Sequence, residues 1–173
     1  MKKLYSIFYV LLLSSLLYSC SGESFHLRGH DNGALSAIKE TIYLEGVNRS
    51  SPLAIELRDR IKSSGALLSY NKNQASIQLT ISNINEGKIA AGYSRARKVR
   101  EYDIFLKLDY AFTRLKTNNQ LISKGKINVM RIQLYDSDFA LAKAEEEETI
   151  RQELRGNAAH LMLTKLHYSQ KIK

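Results

Sequence analysis

The chain has 173 residues, room for one domain with a real core rather than for two. It carries 26 Lys and Arg against 17 Asp and Glu, a formal net charge of +9, with no Trp and with Pro52 as the single proline. One cysteine, Cys20, excludes an internal disulfide framework, while the positive balance points to an anionic partner.

Met1-Lys2-Lys3 is a positive lead, and Leu4 to Tyr18 is an apolar run broken only by serines, too short to span a bilayer comfortably. The run ends in Leu17-Tyr18-Ser19-Cys20, followed by Ser21-Gly22. Leucine three residues before a cysteine, with a small residue just ahead of it, looks like a lipoprotein signal peptide. Residues 1–19 are therefore expected to be removed and Cys20 to carry acyl chains. Two or more chains make such an anchor stable, at about 0.8 kcal/mol per buried methylene. Residues 20–173 are expected to form a single domain, with a short flexible tail after Leu166.

Thr41-Ile42-Tyr43-Leu44-Glu45, closed by Gly46, is β-branched and aromatic and predicts a first strand. Ser51-Pro52 opens a helix, with serine as N-cap and proline in the first turn. Leu53, Leu57 and Ile61 form its apolar stripe, and Ser64-Gly65 ends it. Ala75 to Ile84 alternates, with Ile77, Leu79 and Ile81 facing inward. A long strand from about Lys98 to Arg114 follows, Ile104, Leu106, Leu108 and Tyr110 on one face and Lys107 and Asp109 on the other. Thr117 to Gln120 is a turn, and Leu121 to Gln133 returns antiparallel, with Gly125 expected at a bulge.

A last helix is expected after Asp136, Ser137 or Asp138, its apolar face made by Ile150, Leu154, Ala158 and Leu161. Glu145 to Glu148 in its first half suggest a solvated face. The order β-α-β-β-β-α implies an α+β two-layer sandwich, two helices packed on one face of a four-stranded mixed sheet. The opposite sheet face should be wetter, or covered by a partner.

Catalysis finds little support. His26 and His30 are separated by Gly29, which argues against a helical metal pair. His160 and His167 have no cysteine or carboxylate cluster at ligand spacing, so no metal site is expected. No nucleophile elbow, phosphate loop or dinucleotide fingerprint occurs. Arg95, Arg97, Lys98 and Arg100 crowd the mouth of the long strand, between Tyr93 and Tyr102. Such a cluster suits phosphates, whether of nucleic acid or of lipid; the plainer alternative is a basic loop that only aids solubility or blunts a strand end. An exported, lipid-anchored domain meets lipid phosphates and little nucleic acid, so no nucleic-acid partner is expected.

Three stretches coincide with one known family: Phe25-His26-Leu27-Arg28-Gly29 after the cysteine, Glu101-Tyr102 opening the long strand, and Ala140-Leu141-Ala142-Lys143-Ala144-Glu145 leading into Arg151-Gln152-Glu153-Leu154 and Ala158-Ala159. The pattern resembles the LptE (RlpB) family of lipopolysaccharide-assembly lipoproteins over essentially the whole chain. The resemblance implies two helices on a four-stranded sheet. It further implies a non-enzymatic protein without cofactor that plugs the outer-membrane β-barrel LptD, assists its assembly and helps deliver lipopolysaccharide to the outer leaflet. The family positions for lipopolysaccharide contact fall on Arg95 and Lys143, with Arg97, Lys98 and Arg100 as basic neighbours. The competing expectation is a periplasm-facing lipoprotein that acts as a protein-interaction module without lipopolysaccharide contact.

Overall fold

The computed structural model describes residues 38–171; Cys20, the apolar run before it, and the Phe25-His26-Leu27-Arg28-Gly29 motif lie outside the described residues. The elements are β1 (Thr41–Glu45), α1 (Pro52–Ser63), β2 (Leu67–Ser69), β3 (Ile77–Tyr93), β4 (Val99–Arg114), β5 (Gln120–Leu134) and α2 (Ala140–Lys171). The strand order is β2-β1-β3-β4-β5. β1 runs parallel to β2 and to β3, whereas β3, β4 and β5 form an antiparallel meander. The mixed α+β class agrees with expectation, but the sheet has five strands rather than four. β2 has only three residues, too few for an alternation to register; its pairing of Leu67 with Thr41 through Ser69 with Tyr43 defines it.

Local chemistry sets the first helix. The Ser51 hydroxyl accepts from the Ala54 N–H at 3.2 Å, Pro52 sits in the first turn, and Arg60 and Lys62 occupy the last turn, where the helix dipole favours cations. Leu53, Leu57 and Ile61 are buried against Ile42, Ile77, Leu79 and Ile81 of the sheet and Leu154, Ala158, Met162 and Leu166 of α2. Ile104, Leu106, Leu108, Tyr110 and Phe112 of β4 fill the middle of this core. At roughly 1.5–3 kcal/mol for each large apolar side chain removed from water, this cluster is the main stabilising term.

Three expectations along the elements need correction. β3 continues past Ile84 to Tyr93, because Asn83 takes a left-handed backbone (φ +51°) and, with Ile84, bulges opposite Leu108 instead of ending the strand. Gly125 lies in register opposite Tyr110, and the irregularity of that pair of strands falls at Phe112 and Thr113. A Cβ at Gly125 would stand 3.1 Å from the Tyr110 ring, so the glycine makes room for a core tyrosine. On α2 the buried stripe keeps a four-residue step through Leu154, Ala158, Met162 and Leu166, leaving Leu161 39% exposed. The helix extends to Lys171.

The sheet face away from the helices changes character along its length. Around Lys107 and Asp109 it is polar, as expected. Toward the β3–β4 turn the register sets Ile89 and Ile132 on either side of Asp103, and Met130 beside Phe105. Ile89, Met130 and Ile132 are each more than half exposed there, as is Leu134 beside Glu101.

Candidate functional site

The turn joining β3 to β4 gathers the basic residues. The Arg97 N–H donates to the Ser94 carbonyl at 2.9 Å, and the Ser94 N–H donates to the Lys98 carbonyl at 2.8 Å. The Ser94 hydroxyl accepts from the Lys98 N–H at 3.1 Å. This is a type I turn followed by one left-handed residue, a compact hairpin connection. The left-handed residue is Arg97, at φ +60°. Glycine is the usual occupant, since a Cβ there costs about 1–2 kcal/mol. The hairpin therefore holds an arginine where backbone energetics favour none.

Arg95, Arg97, Lys98 and Arg100 are all exposed, and none forms an ion pair among the described residues. Four cations within one short segment repel one another and favour any multivalent anion that can bridge them. Tyr93 beside them is exposed. Tyr102 is not free to stack: it packs edge-on against Tyr135 at 5.3 Å between ring centres, under the Lys88 ammonium at 4.7 Å.

Lys143 is placed differently. Its backbone carbonyl accepts from the side chain of Gln133, which is opposite Tyr102 in the sheet and thus lies toward the same end as the turn. Its ammonium pairs with Glu146 at 2.7 Å. That hydrogen bond holds the Glu146 carboxyl below its ordinary value. Lys143 reaches a phosphate only by giving up Glu146, whereas the turn cations have no such competitor among the described residues.

Between the apolar core and the basic turn lies an ionic layer that the sequence did not advertise. Glu86 of β3 receives Arg155 through two hydrogen bonds, at 2.7 and 3.1 Å, and Arg151 at 3.2 Å. Arg151 also grips Glu147 at 2.6 Å, Arg155 reaches Glu148 at 2.9 Å, and Lys88 pairs with Glu147. In the acidic run expected to be a solvated face, Glu145, Glu146 and Glu148 are exposed, and Glu147 alone reaches β3, through Lys88. Burial alone would raise the Glu86 and Glu147 carboxyls, but their partners, Arg155 and Arg151 for the first and Lys88 and Arg151 for the second, outweigh it and hold both below the ordinary range. Lys88 went unrecognised because β3 was expected to end at Ile84. Among the described residues no group of three His, Cys, Asp or Glu side chains is placed to hold a metal ion.

The described residues thus form a helix-backed mixed sheet, with a basic hairpin at one end and exposed apolar side chains on the adjoining sheet face. Among the described residues no helix is long and apolar enough to cross a membrane. The LptE family, lipopolysaccharide-assembly, matches residues 40–166, and the chain belongs to that family. Its role accordingly lies in lipopolysaccharide assembly. The fold is similar to that of rare lipoprotein B from Shewanella oneidensis, at 20% identity and a TM-score of 0.62, covering 76% of this chain and 96% of that one. It is also similar to an uncharacterized lipoprotein B from Nitrosomonas europaea, at 20% identity and a TM-score of 0.64, covering 81% and 88%. A minor lipoprotein from Acinetobacter baumannii aligns at 15% identity with a TM-score of 0.58, covering 77% and 94%.

Proposed function

We propose that this chain is a non-enzymatic outer-membrane lipoprotein, anchored through acylated Cys20, that plugs the LptD β-barrel one-to-one, assists its assembly and helps pass lipopolysaccharide to the outer leaflet. The basic turn engages lipopolysaccharide phosphates, and no cofactor takes part. The observation that carries the phosphate contact is the set of four exposed cations, Arg95, Arg97, Lys98 and Arg100, without ion pairs among the described residues, on a turn whose backbone accommodates Arg97 at a cost. Lys143 contributes once Glu146 is displaced. A guanidinium fork suits phosphate oxygens, and each charge-assisted contact is worth about 1.5–3 kcal/mol when partly desolvated.

The plug half of the reading draws on family membership and on the apolar sheet face around Ile89, Met130, Ile132 and Leu134, a surface suited to burial against another protein. Co-purification in detergent tests it: the full-length chain should bring down one large β-barrel protein. Lipopolysaccharide binding by the chain with Arg95, Arg97, Lys98, Arg100 and Lys143 reversed to Glu tests the other half. Binding should fall at least ten-fold at moderate salt, and undiminished binding by a folded variant refutes the phosphate contact.

A further inference from the structure

A second concave site lies far along β3 from the basic turn, where β1 gives way to α1. It is a cavity of about 170 Å³. Leu44, Val47, Ala54 and Leu68 contribute apolar lining, and Arg49 and Arg58 also face it. Its walls are held in place. Gly46 has φ +83°, and a Cβ on it would stand 2.0 Å from the Ile81 carbonyl oxygen, so the loop after β1 lies directly on β3. The Arg49 guanidinium stacks over the Tyr70 ring at 5.3 Å and reaches the Tyr70 carbonyl at 3.5 Å. The one acid in the lining, Glu45, is already engaged by Lys72 at 3.7 Å and by the Gln78 and Thr80 side chains. Arg58 forms no ion pair among the described residues.

A pocket of mixed apolar and polar lining, with two guanidiniums facing it and its one acid paired with Lys72, suits an apolar group that carries its own negative charge. Cavities of about 150 Å³ lined by apolar side chains admit a benzene-sized group, so this one has room for a leucine-sized side chain. We propose that the cavity binds a small apolar carboxylate of the kind a polypeptide presents at its C-terminus. The side chain enters the apolar lining, and Arg58, assisted by Arg49, holds the carboxylate. The site is independent of the basic turn and of the lipopolysaccharide reading.

Equilibrium dialysis of labelled N-acetyl-leucine against the full-length chain tests the proposal, with N-acetyl-leucinamide as the uncharged counterpart. Loss of one charge-assisted contact to a guanidinium corresponds to roughly ten-fold or more in affinity. The acid should bind one saturable site at least ten-fold more tightly than the amide. Arg58→Gln should erase that preference without changing the thermal midpoint, and Glu in place of Arg95, Arg97, Lys98 and Arg100 should leave it intact. Equal binding of acid and amide by the unaltered chain overturns the proposal. So does an acid preference that survives in Arg58→Gln or disappears with the turn variant, and so does an absence of saturable binding.

Discussion

Arg97, at φ +60°, is the residue on which the proposed phosphate contact rests most heavily. Left-handed positions in hairpin turns ordinarily go to glycine or asparagine, and the β4–β5 turn of this chain fills its two with Asn118 and Asn119, at φ +47° and +53°. At the basic turn the same backbone need is met by an arginine. Replacing Arg97 with Gly should relieve the crowding and stabilise the chain by up to about 1 kcal/mol, read as a higher denaturant midpoint, while weakening lipopolysaccharide binding. A lower midpoint would mean that the left-handed position carries no such cost. Glu86 and Glu147 make a second residue-scale case. Both carboxyls are held below the ordinary glutamate value of 4.5 in the folded state, so the native chain releases their protons more readily than the unfolded one. The stability they contribute is therefore fully present above about pH 4.5 and drains away as pH falls through the folded values. Denaturation series should show a flat response down to that pH and a decline below it, with a shallower decline in Glu86→Gln. An identical acid slope in that variant would remove Glu86 from the linkage.

At the scale of elements, the ionic layer divides α2 into two halves held by different forces. Leu154, Ala158, Met162 and Leu166 hold the C-terminal half by apolar burial; Lys88 reaching Glu147, with Arg151 and Arg155 reaching Glu86, hold the turns from Glu147 to Arg155 onto β3. Arg155 is 8% exposed, so truncating it leaves Glu86 partly desolvated with one partner fewer. Arg155→Ala should cost about 2–3 kcal/mol by equilibrium denaturation. Combining it with Glu86→Gln should cost less than the two separate losses together, whereas strict additivity would show that the pair is not coupled. Local chemistry made much of this architecture legible. Ser51-Pro52 announces α1, and the alternation of Ile104 to Tyr110 announces β4, because caps and strand faces depend on neighbours in the chain. Three features depend on distant residues and stayed hidden. β2 exists only through its ladder to β1. The far half of β3 is masked by Asn83 and Asn85, which look like strand breakers until Asn83 bulges opposite Leu108 and Asn85 rejoins the ladder opposite Lys107. Glu147 belongs to a clamp only because β3 brings Glu86 and Lys88 beneath the helix. The basic cluster itself was legible as a cluster. The strain at Arg97 and the engagement of Lys143 by Glu146 were not, since neither follows from composition or spacing.

Across the whole molecule, the surfaces proposed to meet lipopolysaccharide and the barrel lie toward the same end but differ in chemistry, so they can be separated by substitution. The turn is charged and open to an anion. The adjoining sheet face offers Ile89, Met130, Ile132 and Leu134, interrupted by Asp103 and Glu101, a mixture suited to another protein's surface. If that face lies against the barrel, Met130→Lys with Ile132→Lys places two charges in the contact. Both side chains are exposed in the isolated chain, so the denaturation midpoint should move by no more than about 0.5 kcal/mol for each. Co-purification with the barrel should be lost, because an unpaired charge buried in an interface is costly. Lipopolysaccharide binding by the double-lysine chain should persist or rise slightly, since the added charge is positive. Reversal of the turn cations should produce the opposite pair of results: barrel co-purification retained and lipopolysaccharide binding reduced. Should the double-lysine chain still bring down the barrel in full yield, the plug must present another face to the barrel wall. Should reversal of the turn also abolish the complex, the two surfaces are one interface, and the basic turn serves the barrel rather than the lipid.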